Sequence, residues 1–184
     1  MVAALQGASP SGPAVIETQR LVLFTLPPPL VKALVERDWA AARVVEARYD
    51  ITDQTFLDDA YVLGLRHAQL VVDPTEEPWL ARAAVLRGTR QVVGNVGFHA
   101  PPDEAGSVEI GYRVSPPFRR QGIASEMARA LIGWAASNGG TRCLASVRPD
   151  NAASIATVTA MGFSKIGEQT DEIDGLEWVY ALDL

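Results

Sequence analysis

The sequence predicts an α/β domain of seven strands, in the order strand, helices, three strands, helix, strand, helix, two strands. The main observation is a change of period near the middle of the chain. Residues 108–114 alternate apolar and polar side chains, as a half-buried strand does. From Ile123 to Trp134 the apolar residues instead recur at helical spacing. Pro116 and Pro117 interrupt both patterns, so a loop must join the strand to the helix.

The N-terminal part is predicted to hold one strand followed by helices. Residues 20–25 are predicted to form a strand with Leu21 and Leu23 on one side and Val22 and Phe24 on the other. The three prolines at 27–29 end that strand and can open a helix, since proline is tolerated in a first helical turn. Asp38 can cap a second short helix, and a third helical pattern spans residues 50–73. The inward positions expected in the second and third helices are Trp39, Ala42, Val45, Phe56, Ala60, Leu63, His67 and Leu70.

Glycines divide the remaining elements. Residues 81–87 and 91–100 are predicted strands joined by a hairpin at Gly88, with Gly94 and Gly97 indicating a bulge in the second. After the central helix, the glycine pair at 139–140 is a stop signal. The elements predicted beyond it are a buried strand at 144–147, a helix at 151–161 and paired strands at 163–170 and 176–182.

Composition indicates one domain over residues 15–184, preceded by a loose tail of residues 1–14. Of the 184 residues, 48% are hydrophobic, which is enough for one substantial core. No apolar run reaches the roughly 20 residues of a membrane span and the tail lacks signal-peptide features, so a cytoplasmic protein is expected. The single cysteine, Cys143, excludes an internal disulfide and a thiolate metal site. A net charge of −6 argues against non-specific nucleic-acid binding and suits a cationic partner.

Gly122, at the turn between the central strand and helix, predicts an anion site. Glycine lets the backbone approach a ligand closely, and the first N–H groups of the helix have no intrahelical acceptor. Arg119 and Arg120 add guanidinium groups suited to phosphate oxygens. The same residues also fit an ordinary turn with solvated arginines. The P-loop, the dinucleotide-binding glycine fingerprint and the hydrolase nucleophile elbow are all absent from the sequence.

This segment resembles the acyl-CoA signature of the GNAT N-acetyltransferases, Gln/Arg-x-x-Gly-x-Gly/Ala. Arg119 fills its first position, Gly122 its glycine and Ala124 its last. Residues 109–112 resemble the preceding strand in the Rim-type branch, whose namesakes acetylate the N-termini of ribosomal proteins.

A second segment extends the resemblance. Asn151-x-x-Ser154, followed by Gly162-Phe163, is similar to the Rim-type pattern Asn-x-x-Ser…Gly-Phe, and the order of elements matches from residue 20 to residue 184. The resemblance implies the GNAT fold, an α/β (α+β) architecture whose central, mixed, mostly antiparallel, seven-stranded sheet splays apart and is flanked by about four helices.

The resemblance also implies acetyl-CoA as the acetyl donor. Its pantetheine arm would enter a gap between residues 109–114 and 144–147. The cofactor contacts expected are Tyr112, Val114, Arg119, Arg120, Gln121, Gly122, Ile123, Ala124 and Asn151. Asn151 is equally suited to cap its helix, and can do both. No metal is expected, because His67 and His99 have no further ligand at metal spacing and are interpreted as structural.

Three residues are the candidates for proton transfer. Glu109 is the first candidate base, acting directly or through water, unless it is only a solvated strand residue. Glu172 is the second, because some Rim-type enzymes carry a carboxylate beyond the Gly-Phe segment; a charge at a hairpin tip is its alternative. Many GNAT proteins have, at the position of Val158, a tyrosine that acts as the general acid. Ser154 matches the serine proposed in Rim-type proteins, so the resemblance implies Ser154 as the acid. A helix first-turn serine, with water as the acid, is the alternative there.

The expected function is acetyl-CoA-dependent transfer of an acetyl group directly to a primary amine, on a protein N-terminus or a small molecule. An α-amine is favoured, because an ordinary carboxylate such as Glu109 suits an amine of low pKa. The alternative is a non-catalytic acyl-CoA-binding sensor or scaffold, and a homodimer is compatible with either. Carboxylates expected to rim the acceptor site, unless they are simple surface charges, are Asp50, Asp53, Asp58, Asp59, Asp171, Glu172, Asp174 and Glu177.

Overall fold

The computed structural model describes residues 15–51, 56 and 60–184, and its centre is one twisted sheet. The strands of the described residues are β1 (Val15–Glu17), β2 (Leu21–Thr25), β3 (Arg82–Leu86), β4 (Val92–Phe98), β5 (Ser107–Val114), β6 (Arg142–Val147), β7 (Ser164–Asp171) and β8 (Gly175–Asp183). They lie in the order β1-β2-β3-β4-β5-β6-β8-β7, and only β5 and β6 pair in parallel.

The predicted α/β class is confirmed, but the predicted count of seven strands is wrong, because the described sheet has eight. The additional strand is β1, whose three residues pair with β2 from Val15↔Phe24 to Glu17↔Val22. Three residues are too few for an alternating pattern to be recognised in the sequence. The proposed tail of residues 1–14 lies outside the described residues.

The described residues form five α-helices, where the resemblance implied about four. They are α1 (Pro28–Val35), α2 (Trp39–Val45), α3 (Ala60–Val72), α4 (Ile123–Ala136) and α5 (Ala152–Met161). As predicted, the Asp38 side chain caps α2 by accepting a hydrogen bond from the Ala41 backbone N–H at 2.9 Å. The inward positions predicted at Val45 and Ala60 are wrong, since both side chains are exposed. The seven-residue helix α2 packs on α1, and only Ala42 of α2 is fully buried.

Helices cover both faces of the sheet. On one face, α4 and α5 pack against the even-numbered side chains of β5, from Val108 to Val114. We call this the α4 face. On the other, α1 and α3 pack over β2 and β3, burying Phe24 and Val85 among others. We call this the α3 face, and Glu109 and Gly111 belong to it because side chains alternate along a strand.

Two glycines of β4 are required by close packing. A Cβ on Gly94 would lie 2.3 Å from the Arg113 carbonyl oxygen, and one on Gly97 would lie 2.3 Å from the Leu80 carbonyl oxygen. The bulge predicted in this strand is confirmed, because the β3–β4 register shifts between Ala84 and Val85.

The parallel contact between β5 and β6 is short. It covers only Ser107↔Arg142, Val108↔Cys143 and Glu109↔Leu144. Beyond it β5 stays paired with β4 as far as Val114, whereas β6 stays paired with β8 as far as Val147. The two strands therefore part after Glu109 and Leu144. We call the space between them the gap; it lies where the resemblance implied a splay.

Helix α5 begins at the carboxyl end of β6 with a side-chain cap. The Asn151 Oδ1 atom accepts a hydrogen bond from the Ser154 backbone N–H at 3.1 Å. We predict that Asn151→Ala lowers the free energy of unfolding by about 1 kcal/mol. Asn151→Ser, which keeps a capping oxygen, should lose much less. Urea unfolding followed by circular dichroism would measure both, and equal stability of Asn151→Ala and wild type would show that the cap contributes nothing.

Candidate active site

The predicted anion site lies where the chain enters α4. Gly122 is the N-cap residue and has a φ of 77°, in the left-handed region that favours glycine. A Cβ at Gly122 would meet only the Arg20 Nη2, at 3.4 Å, an ordinary van der Waals contact. Arg120 also has a positive φ, of 61°, which is uncommon for a residue other than glycine. We call residues 119–122 the phosphate loop.

Side chains hold the phosphate loop in this conformation. The Arg119 Nε donates to the Val114 carbonyl oxygen at 2.9 Å, and the Gln121 Nε2 donates to the Pro117 carbonyl oxygen at 3.1 Å. Arg119 and Arg120 are both exposed at the start of α4. Ile123, another predicted cofactor contact, has its side chain in the core, so only its backbone is available to a ligand. Ala124 is half-buried in the first turn of the same helix.

Sequence reasoning missed Arg20, which directly precedes β2 and contacts the phosphate loop. Its Nη1 donates to the Gln121 carbonyl oxygen at 2.9 Å, and its Nε lies 2.6 Å from the Glu126 Oε2. Thr18 also donates to Glu126, at 2.6 Å. Partial burial alone would raise the pKa of Glu126, but the hydrogen bonds from Thr18 and Arg20 outweigh it and lower that pKa. A third cation therefore stands beside Gly122.

On the α4 face, two hydroxyl groups meet beside the gap. The Tyr112 hydroxyl and the Ser154 Oγ are 2.9 Å apart, within hydrogen-bonding distance. Burial raises the pKa of Tyr112, although hydrogen bonds with Ser154 and Thr157 act in the opposite direction. Val158, which stands at the family's tyrosine position, is fully buried in the core. Tyr112 thus places a phenol hydroxyl against Ser154 from strand β5 and not from helix α5, which holds Val158.

On the α3 face, Glu109 faces a histidine. The Glu109 Oε2 is 3.7 Å from the His99 Nδ1, an ion-pair distance slightly longer than a hydrogen bond. The His99 backbone N–H donates to the Glu109 carbonyl oxygen at 2.8 Å. Sequence reasoning interpreted His99 as structural because it has no second ligand at metal spacing. It did not connect His99 with Glu109.

Two further carboxylates influence His99. Burial lowers the pKa of His99, and the nearby Glu109, Glu177 and Asp171 oppose this, while Arg66 adds to it. Asp171 also accepts hydrogen bonds from two backbone N–H groups of the β7–β8 turn, which lower its own pKa. The α3 face of the gap is therefore acidic, as was expected for Asp171 and Glu177.

The other predicted acidic residues are more scattered. Glu172 is exposed at the tip of the β7–β8 hairpin. Asp174 lines an open pocket of about 250 Å³ between that tip and the end of β6, together with Arg148, Pro149, Asp150 and Leu176. Asp50 instead pairs with Arg90 at 3.1 Å. The remaining three, Asp53, Asp58 and Asp59, lie outside the described residues.

Within the described part of the chain, no cluster of three or more His, Cys, Asp or Glu side chains could hold a metal ion. None of the helices described is long and apolar enough to cross a membrane.

The arrangement can support a transfer reaction through the gap. A cationic loop at the start of α4 can hold a phosphate-bearing ligand. Glu109 with His99 can accept a proton on the α3 face, and Tyr112 with Ser154 can donate one on the α4 face. The alternation of side chains along β5 separates these two pairs.

Comparisons with known proteins identify the family of the chain. Residues 29–164 match the model of the acetyltransferase (GNAT) domain. The chain is 30% identical over 153 residues to the uncharacterized N-acetyltransferase YjdG of Bacillus subtilis, covering 80% of this chain and 88% of the relative.

Solved structures share the fold at low sequence identity. RimJ of Mycobacterium smegmatis, in complex with CoA-disulfide, is similar with a TM-score of 0.62 at 19% identity, covering 89% of this chain and 81% of RimJ. The microcin C7 self-immunity acetyltransferase MccE, in complex with acetyl-CoA and AMP, gives 0.64 at 17% identity, covering 96% of this chain and all of the MccE chain. The chain therefore belongs to the GNAT acetyltransferase family and is an enzyme of that family.

Proposed function

We propose that this enzyme transfers an acetyl group from acetyl-CoA directly to a primary amine. The observation that carries the proposal is the gap between β5 and β6, which ends at the phosphate loop and has a proton-transfer pair on each side. Direct transfer needs a held donor, a neutral amine and a proton for the leaving sulfur. The residues beside the gap match each of these needs.

The phosphate loop fits the pyrophosphate of acetyl-CoA. Gly122 leaves open space at the start of the 14-residue helix α4, and Arg20, Arg119 and Arg120 supply positive charge around it. The pantetheine arm would lie along the unpaired side of β5, near Tyr112, with Asn151 at the start of α5. When bound, acetyl-CoA supplies a thioester that is reactive toward a neutral amine.

The two pairs beside the gap divide the proton transfers. On the α3 face, Glu109 and His99 take a proton from the incoming amine in this scheme, and the 3.7 Å between the Glu109 Oε2 and the His99 Nδ1 supports a joint role. On the α4 face, the Ser154 hydroxyl is the donor to the leaving sulfur, and Tyr112 can replace its proton through their hydrogen bond. Glu172 is exposed at the hairpin tip, and we give it no role in this scheme.

The acceptor that best fits the site is an α-amine, on a protein N-terminus or a small molecule. Glu109, Asp171 and Glu177 make the α3 face attractive to a cation. At pH 7.5, removal of the proton costs under about 1 kcal/mol for an α-amine with a pKa near 8 and about 4 kcal/mol for a lysine with a pKa near 10.4. A carboxylate–imidazole pair is a base of moderate strength, so it suits the α-amine better than the lysine.

A non-catalytic acyl-CoA sensor is the second candidate, and Val158 is the observation that favours it, since the family's tyrosine is missing there. The assay that separates the two candidates measures CoA release from acetyl-CoA with a panel of amines: alanine- and serine-starting hexapeptides, glycinamide, spermidine and N-acetyl-lysinamide. Release that depends on an amine supports the enzyme. Binding of acetyl-CoA with no release for any amine supports the sensor.

The first prediction for this function concerns Arg20. We expect Arg20→Ala to weaken CoA binding by roughly tenfold or more, since a charge-assisted contact contributes about 1.5–3 kcal/mol. The double variant Arg20→Ala with Glu126→Gln separates the loss of the cation from the effect of an unpaired carboxylate. Arg43→Ala, on the exposed side of α2, is the control. Calorimetry that finds equal CoA affinity in Arg20→Ala and Arg43→Ala would show that the pyrophosphate binds elsewhere.

The second prediction concerns Ser154. Ser154→Ala should lower kcat at least tenfold with little change in acetyl-CoA affinity, because a general acid typically contributes 10²–10⁴-fold. Helix α5 should keep its cap, since Asn151 bonds the Ser154 backbone and not its hydroxyl. Tyr112→Phe should give a smaller loss in kcat.

Thr159→Ala, an exposed change on the same helix, is the matched control for Ser154→Ala. Steady-state kinetics with saturating acetyl-CoA would compare the variants. A kcat of Ser154→Ala equal to that of Thr159→Ala would assign the proton donation to water.

A further inference from the structure

His99 follows β4 directly and lies over β5 at the start of the gap. Its imidazole covers Gly111, because a Cβ on Gly111 would come within 3.2 Å of the His99 Nε2. Gly111 is two residues beyond Glu109, the last residue of β5 that pairs with β6. The missing side chain therefore lets the Nε2 of His99 lie against the strand where the gap opens.

The backbone of His99 is fixed from both sides. Arg66 and Gln69, on α3, donate hydrogen bonds to the His99 carbonyl oxygen at 2.8 and 2.9 Å. The His99 N–H is bonded to the Glu109 carbonyl oxygen of β5. Arg66 is itself buried, which limits its movement. The imidazole thus has a defined position although about half of its side chain is exposed.

The imidazole and the Glu109 carboxylate are arranged as a carboxylate–imidazole pair. A carboxylate beside Nδ1 favours the tautomer that carries its proton there, which leaves the lone pair of Nε2 free to accept another. The charged groups that act on His99 are Glu109 on β5, Arg66 on α3, Asp171 on β7 and Glu177 on β8. Burial lowers the pKa of His99 from its ordinary value, which favours the neutral imidazole that can accept a proton.

We propose that His99 accepts the proton of the acceptor amine and that Glu109 is a positioning residue that orients the imidazole. In this step the N–H bond of the ammonium group breaks, a new N–H bond forms at Nε2, and the proton then passes to solvent water. No other reagent is required. This inference rests on the proposed acetylation of an amine, and it reassigns the acceptance of the proton from the carboxylate to the imidazole.

The kinetic test uses the dependence of kcat/KM on pH from 5 to 8, with a glycinamide or alanine-peptide acceptor. In wild type, the reactive complex holds a neutral His99 and a protonated amine, because His99 itself removes the proton of the amine. The slope of log kcat/KM against pH is therefore one below the pKa of His99 and zero between that pKa and the pKa of the amine. His99→Gln should lower kcat about 100-fold at pH 7 and leave a slope of one throughout. Glu109→Gln should lower kcat less and move the break to lower pH, because the lost carboxylate raised the pKa of His99.

The chain offers a matched control, because His67 is its only other histidine. His67→Gln should keep the wild-type rate and the wild-type break. CoA affinity and circular dichroism should be unchanged in His99→Gln. If a folded His99→Gln enzyme keeps the wild-type rate and break, the proposal is wrong.

A measurement without substrate tests the pair independently. In the NMR spectrum of wild type, the imidazole signal that is absent from His99→Gln should titrate below pH 6.5, and in Glu109→Gln at a still lower pH. An unchanged His99 titration in Glu109→Gln would overturn the pairing. If wild type releases no CoA with any amine, the proposed function is wrong, and the assignment of proton acceptance to His99 is wrong with it. In that case the NMR titration still decides whether His99 is coupled to Glu109.

Discussion

The parting of β5 from β6 is the constraint on which the rest of the site depends. Parallel neighbouring strands end at the same edge of a sheet, so the helices that follow them, α4 and α5, both begin at that edge. Their N-terminal N–H groups are therefore available at the carboxyl end of the gap. A gap in the middle of a sheet leaves backbone groups to be satisfied by a ligand or by water. The fold thus produces a site for a long ligand with an anionic end before any side chain is considered.

The phosphate loop shows how that site is stabilised. Positive φ angles at Arg120 and Gly122 cost about 1 kcal/mol or more at the non-glycine position. The contact of Arg20 with the Gln121 carbonyl oxygen and its ion pair with Glu126 offset this cost. The same arginine neutralises a carboxylate that would otherwise repel phosphate. The turn after β1, which contains Thr18, therefore contributes to the loop although Thr18 and Glu126 are 108 positions apart in the sequence.

The sequence predicts local features well and long-range pairings poorly. The strand–loop–helix unit around Gly122, the caps at Asp38 and Asn151 and the site of the gap follow from patterns within about ten residues, or from the family resemblance. Arg20 is separated from Glu126 by 106 positions and Tyr112 from Ser154 by 42, so no spacing rule connects them. The same is true of His99, whose meeting with Glu109 depends on the antiparallel register of β4 and β5. Only the tertiary structure brings these pairs together.

Alternation along β5 explains how one strand can serve both proton transfers. Glu109 and Gly111 face the acidic α3 side, where a cationic amine is attracted, whereas Tyr112 faces the α4 side and the start of α5. A proton acceptor and a proton donor that touched would exchange a proton with each other, and the backbone of the strand prevents this. The hydroxyl groups of the proton-donor pair also need not both come from α5. With Val158 buried in the core, the phenol hydroxyl comes from β5 and reaches Ser154 across the start of that helix. In the proposed scheme β5 supplies one member of each pair, Glu109 and Tyr112, whereas the proton acceptor His99 follows β4 and the proton donor Ser154 lies on α5.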